Sequence, residues 1–216
     1  PLVEKNNIYI AQNITMDKEN SGILLYGVNQ SGKSCTMKSV GIAVIMAQAG
    51  MYVAADSFVY SPYSILMTRI LGNDNADKGL STFAVEMTEL RSILTRSNNR
   101  TLVLGDELCH GTESASAVSL VAASIMHLSQ SETCFIFATH LHELSSMDEI
   151  TTLQNVSQYH LTISFDSSSD GTIIYDRLMK KGSGTGLYGV EVAKLSHFYG
   201  INSESTKILS KVLTQQ

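Results

Sequence analysis

One stretch limits the fold of this chain more than any other. Gly27-Val28-Asn29-Gln30-Ser31-Gly32-Lys33-Ser34 joins an apolar run, Gly22 to Val28, to the helical, mostly apolar stretch Lys33 to Gln48. The pattern is G-x-x-x-x-G-K-[ST] set between a buried strand and a helix, the context in which such a loop wraps phosphate. Glycines let the backbone come close enough for its N–H groups to face phosphate oxygens. The helix that follows adds the positive end of its dipole. In that setting Lys33 reaches the β- and γ-phosphates of a nucleotide, and the Ser34 hydroxyl is a ligand for Mg²⁺.

Two further apolar runs read as buried strands, Thr101 to Gly105 and Cys134 to Thr139. Between them, Phe83, Met87, Leu90 and Leu94 recur at helical spacing, with Glu86, Glu89 and Arg91 turned elsewhere. Val118, Val121, Ala122, Ile125 and Leu128 repeat the pattern in a third helix. Strands alternating with helices predict an α/β fold, a largely parallel sheet flanked by helices. Beyond His140 the pattern changes. Tyr159 to Phe165 and Thr172 to Leu178 alternate like a pair of antiparallel strands about the polar turn Ser167 to Gly171. The glycine-rich Gly182 to Gly186 then leads to a small terminal helix–turn–helix. The expected division is a nucleotide-binding domain over 1–186 and a helical element over 187–216.

The second strand ends in Asp106-Glu107. Two carboxylates at a strand end supply what a phosphate loop needs as its second element. Asp106 serves the Mg²⁺ shell, and Glu107 orients and deprotonates an attacking water. His140, after Phe137-Ala138-Thr139, belongs to the same sheet edge and is a candidate to sense or polarise the γ-phosphate. His140, His142 and Glu143 also mimic a zinc cluster, a reading disfavoured because no further ligand accompanies them.

Composition removes whole classes of function. With 44% hydrophobic and 16% charged residues the chain is neither disordered nor fibrous. A net charge of −5 is wrong for a free-standing electrostatic nucleic-acid binder. Cys35, Cys109 and Cys134 are odd in number and widely spaced, which points to reduced thiols in an intracellular compartment: cytoplasm or nucleoid, mitochondrial matrix or viral factory. No apolar run is long enough for a membrane span. The opening Pro1-Leu2-Val3-Glu4, without an initiator methionine, suggests a piece of a longer protein.

These motifs resemble a family. The phosphate loop with its internal Asn29, Gly79-Leu80-Ser81-Thr82-Phe83-Ala84-Val85-Glu86-Met87, Asp106 to Glu113 and Ala138-Thr139-His140 follow one another as in the ATPase domain of the MutS family. The stretch Asp106-Glu107-Leu108-Cys109-His110-Gly111-Thr112-Glu113 is closest in style to the organellar and giant-virus branch.

The resemblance implies a P-loop NTPase of the ABC/MutS type that binds and hydrolyses Mg-ATP at a composite dimer site. ATP would be held by Tyr9 stacked on adenine, Ile10 flanking it, and the loop Gly27, Val28, Asn29, Gln30, Ser31, Gly32, Lys33, Ser34 and Cys35. Ser81 would be offered in trans to the partner subunit's nucleotide. Mg²⁺ would fall to Ser34 and Asp106, and catalysis to Glu107 and His140. A homodimer would form through the ATPase face and the C-terminal helices, whose balanced charge suits a clasp better than DNA reading. Mismatched DNA would be bound by other domains of the full-length protein, and a nuclease is a conceivable additional domain or partner. Three departures stand out: Ser31 in place of a glycine, Cys35 in place of a threonine, and His110 in place of an arginine. A thiol donates hydrogen bonds weakly, so the resemblance implies modest nucleotide affinity.

Three alternatives remain at this stage. One is a MutS relative that acts on branched DNA in recombination control. An ABC-type coupling ATPase is a second, although Ser81-Thr82-Phe83 stands where its L-S-G-G-Q signature belongs. The third is a nucleotide-gated dimerisation module without turnover, against which an intact Glu107 speaks.

Overall fold

β-branched and leucine-rich runs free of charge form the central strands, because each is covered on both faces. In the computed structural model, which describes residues 10–70, 82–165 and 173–184, β1 (Gly22–Tyr26), β3 (Thr101–Asp106) and β4 (Cys134–Thr139) are almost wholly buried. They are joined by β2 (Ile65–Arg69) and β5 (Val156–Leu161) in a sheet of order β2-β3-β4-β1-β5-β8. Every neighbouring pair from β2 to β5 is parallel. Only the edge strand β8 (Met179–Lys181) runs antiparallel, against β5. The expected mixed α/β architecture with a mostly parallel sheet is therefore observed.

Side chains alternate across the sheet with period two, and each face has its own cover. Ile23, Leu102, Leu104 and Ile136 pack with Met37 and Val44 of helix α1 (Lys33–Gln48). On the other face Leu24, Tyr26, Val103, Phe135 and Phe137 pack with Leu90 and Ile93 of α2 (Thr82–Arg96). Val121, Ile125 and Leu128 of α3 (Ser114–Gln130) complete that layer. After β4 come a 3-10 turn (His142–Ser146) and a short α4 (Asp148–Thr151), whose Leu144 and Ile150 close the second core.

Three sequence expectations change. β1 stops at Tyr26, before Val28, because the chain must turn at Gly27 into the loop. Helix α1 is not buried all round: among the described residues Ile42 and Ile45 are more than half exposed, and its buried positions form one stripe. Glu86 is not turned to solvent but is only 3% exposed. The expected antiparallel pair after His140 is present: β6 (Ser164–Phe165) pairs with β7 (Ile173–Ile174), and β5 pairs with β8, which carries the second arm on to Lys181. Its first arm, β5, also extends the main sheet parallel to β1, which alternation did not reveal. β2 had no alternating or continuous apolar signal, since Thr68 and Arg69 interrupt it at the sheet edge. The terminal helix–turn–helix over 187–216 lies outside the described residues.

The aromatic pair Phe135–Phe137, with ring centroids 4.9 Å apart, needs space beside it on β1 and β3. Gly22 provides some of that space, for a Cβ there would lie 2.3 Å from the Phe135 ring. Gly22→Ala must push the ring aside, at a cost of about 1–3 kcal/mol. The expected result is a lower urea midpoint with an unchanged m-value, read by chemical unfolding.

Candidate functional site

Parallel pairing brings the C-terminal ends of β1, β4 and β3 to one edge. Tyr26 of β1 is level with Thr139 of β4, and Asp106 of β3 is level with Ala138. The loop after β1, the carboxylates after β3 and His140 after β4 therefore leave the sheet side by side. In open parallel sheets this carboxyl edge is where ligands bind.

The loop from Gly27 to Gly32 closes on itself through the Ser31 N–H, which donates to the Val28 carbonyl at 3.2 Å. Gly32 has φ +107°, a conformation that a side chain would strain, and it delivers the chain straight into α1. The first turn of α1 holds no acidic residue and no side-chain cap. Its free N–H groups and positive dipole end thus face outward from the loop with nothing of their own to neutralise them. Lys33 folds back over this loop. Its Nζ donates to the Gly27 carbonyl at 2.7 Å and to that of Val28 at 3.3 Å.

Only 5% of the Lys33 side chain is exposed. Burial lowers the affinity of its amine for a proton, and the nearby carboxylates of Glu107 and Asp106 pull in the opposite direction. Lys33 Nζ lies 4.0 Å from one Glu107 oxygen, and His110 Nδ1 lies 4.0 Å from the other. The His110 ring in turn stands edge-on to His140, with centroids 6.0 Å apart. Lys33, Asp106, Glu107 and His140 are thus brought to the same edge. Ile10 stands at the start of the described residues, and Tyr9 and Ser81 lie outside them. Cys35 is exposed one turn into α1.

Two buried oxygens here lack partners among the described residues, Asp106 Oδ1 and Ser31 Oγ. A buried carboxylate oxygen without a donor is costly unless a cation or a ligand completes it. This suits a divalent cation bound by Asp106 with Ser34, whose remaining oxygens would come from phosphate and water, as Mg²⁺ prefers. Among the described residues no three His, Cys, Asp or Glu side chains gather into a metal group. His142, one of the residues that mimicked a zinc cluster, instead stacks on Tyr26, with ring centroids 5.3 Å apart and planes 28° from parallel.

Three features of this region carried no sequence signal that was read. Glu86 Oε1 accepts the backbone N–H of Cys109 at 2.7 Å, so α2 touches the turn that bears Glu107. The Cys109 thiol beneath it is pushed up to about 11, chiefly by burial and then by the Glu86 charge, which keeps it protonated and unreactive. Leu161 of β5 lies against the loop, 3.6 Å from where a Cβ on Gly27 would sit. The Glu86 signal was present in its place within Ser81 to Met87, but helical spacing alone assigns such a residue to the solvent side.

The chain matches MutS domain V over residues 23–212. It is 48% identical to a mutS homolog of Acanthamoeba polyphaga mimivirus over 83% of this chain and 16% of that protein. With the mitochondrial DNA mismatch repair protein mutS homolog of Sarcophyton glaucum it shares 45% identity, over 89% of this chain and 19% of that one. With the DNA mismatch repair protein MutS of Fusobacterium nucleatum it shares 34%, over 100% and 24%. The chain thus spans less than a quarter of the length of these relatives. No helix among the described residues is long and apolar enough to cross a membrane.

His142 offers a pH test of the geometry. Burial lowers its pKa, Glu143 raises it, and His140, Lys33 and His160 lower it further. The folded chain therefore keeps His142 neutral where the unfolded chain, titrating near the ordinary value of about 6.5, takes up a proton. Stability contributed by this difference is present above that pH and lost as the pH falls below it. His142→Phe keeps a ring against Tyr26 and removes the titration. Its thermal midpoint is expected to drop less than the parent's between about pH 7.5 and 5.5; equal drops would contradict the assignment. Strand register, the order of the loops at the carboxyl edge and these matches agree, and the chain belongs to the MutS family as its domain V.

Proposed function

We propose that this domain is the ATPase of a MutS-type DNA mismatch repair protein, a P-loop NTPase module that binds and hydrolyses Mg-ATP. The observation that carries the reading is the convergence at one sheet edge of a buried lysine, an uncapped helix N-terminus and a carboxylate with an unpartnered buried oxygen. Each is suited to a polyphosphate with its cation, and none stabilises the fold by itself. The relatives, mismatch repair MutS proteins and homologs, add the DNA repair context.

In this reading the loop N–H groups and Lys33 hold the β- and γ-phosphates. Ser34 and Asp106 hold Mg²⁺, which supplies charge neutralisation and orientation of the phosphate oxygens. A water attacks the γ-phosphorus in line with the leaving ADP, and Glu107 takes its proton. His110 lies beside the carboxylate, and His140 stands edge-on to His110, within the same cluster. Tyr9 and Ile10 flank the adenine, and Ser81 completes the partner subunit's site, so hydrolysis is tied to a homodimer held also by 187–216. Domains outside this chain bind mismatched DNA and are moved by the change from ATP to ADP. The free thiols of Cys35, Cys109 and Cys134 suit a reducing intracellular compartment.

Glu107→Gln in the full-length protein keeps the volume and removes the base. ATP binding should persist while turnover falls by about 10²–10⁴, measured by phosphate release; an unchanged rate removes Glu107 from the reaction. Lys33→Ala should act on binding itself. Losing a charge-assisted contact to phosphate weakens nucleotide affinity roughly ten- to a hundredfold, and an unchanged titration would refute the phosphate site.

A further inference from the structure

We propose that Glu86 is a positioning residue for hydrolysis: its buried carboxylate holds the Glu107–Cys109 turn in the conformation that presents Glu107 to the phosphate edge. The inference rests on the reading of Glu107 as the base and adds to it the means by which that base is held in place.

The turn needs holding. Glu107 has φ +48° and Cys109 φ +62°, two non-glycine residues in the left-handed region only two positions apart. Such backbone persists only where its surroundings over-determine it. At one end the Glu107 N–H donates to the Ala138 carbonyl of β4 at 2.9 Å. At the other end the Cys109 N–H donates to Glu86 Oε1 at 2.7 Å, a bond to a charged acceptor deep in the protein. The first anchor belongs to the sheet, whereas the second is a single side chain borrowed from α2. Without it the Cys109 N–H would be a buried, unpaired donor.

Glu86 is itself fixed. It is 3% exposed, and Arg69 Nη2 of β2 lies 3.9 Å from the oxygen that accepts the bond. The same guanidinium reaches Glu89 Oε2 at 2.8 Å through Nε, so one arginine spans two acidic residues a turn apart on α2. A second contact runs the same way, for a Cβ on Gly111 would lie 3.7 Å from the Phe83 backbone. The first turns of α2 therefore lean on the loop that carries Glu107. A shift of α2 along its axis would displace the Cys109 N–H from its acceptor and turn Glu107 away, while Lys33 and the phosphate loop, on the other side of β4, would stay in place. Binding and hydrolysis are in this way separable, and Glu86 governs only the second.

The test uses Glu86→Gln and Glu86→Met in the full-length protein. Both fill the carboxylate's volume, and only Gln keeps an oxygen to accept the Cys109 N–H. Expected for Gln is a kcat within about threefold of the parent; for Met it is a kcat lower by about ten- to a hundredfold. Affinity for a non-hydrolysable ATP analogue should change by less than about threefold in either. Equal kcat for Met and parent, with Glu107→Gln inactive, overturns the positioning role alone. A loss of analogue affinity that parallels the loss of kcat in Met overturns it as well, since that is the mark of general damage. A parent rate in Glu107→Gln sinks the base assignment and this proposal together. Should Glu86→Met fail to fold, hydrogen exchange in the parent decides: the Cys109 amide must exchange slowly, and fast exchange there overturns the bond.

Discussion

The charge balance around the Lys33 ammonium is the interaction on which the candidate site depends. An amine removed from water releases its proton more readily, and here Glu107 and Asp106 oppose that tendency. The carboxylates offset part of what burial costs the ammonium, and the ammonium offsets part of the cost of ending a buried strand in two carboxylates. Two carbonyls, of Gly27 and Val28, fix the ammonium where the loop opens. The phosphate loop and the acidic strand end are therefore mutually dependent, although β4 lies between their strands. Under the proposed function, a polyphosphate at this edge would add negative charge beside two carboxylates, which a divalent cation would offset.

The sheet is packed on both faces, and three of the left-handed non-glycine residues lie at its carboxyl edge. Both faces are packed by separate helical layers, α1 on one and α2 with α3 on the other. Left-handed residues without glycine accumulate in the connections: Gln30 in the phosphate loop, Glu107 and Cys109 after β3. Strain of this kind belongs where geometry must be held ready for a ligand. The neutral, stacked His142 fits the same picture, since another cation beside Lys33 would weaken the balance that keeps the lysine charged.

Much of this was legible because the deciding residues are contiguous. Gly22 to Ser34 and Leu102 to Glu107 each carry a strand and the candidate residues that follow it in one short run, and parallel pairing then places them side by side. What escaped depends on contacts distant in sequence. The run from Tyr159 is one arm of an antiparallel pair, as its alternation predicts, but its second neighbour, β1 in parallel, is invisible to alternation. Helix α1 is mostly apolar, as a helix against a sheet should be, yet composition does not say which faces find a neighbour. Glu86 was assigned to solvent because charged residues on an amphipathic helix usually belong there. A carboxylate with a backbone N–H to accept and a guanidinium beside it is the exception that periodicity cannot see.

The three thiols have unequal surroundings, and that makes the domain open to chemical labelling. Cys109 is buried and held protonated, and burial likewise raises the pKa of Cys134 beside Tyr63. Cys35 alone among them is exposed, two residues beyond Lys33 on the first turn of the helix that follows the loop. An alkylating reagent or thiol-reactive dye at neutral pH would therefore select that one sulfur. The fluorescence or the labelling rate of that single position would follow occupancy of the loop directly, without recourse to turnover.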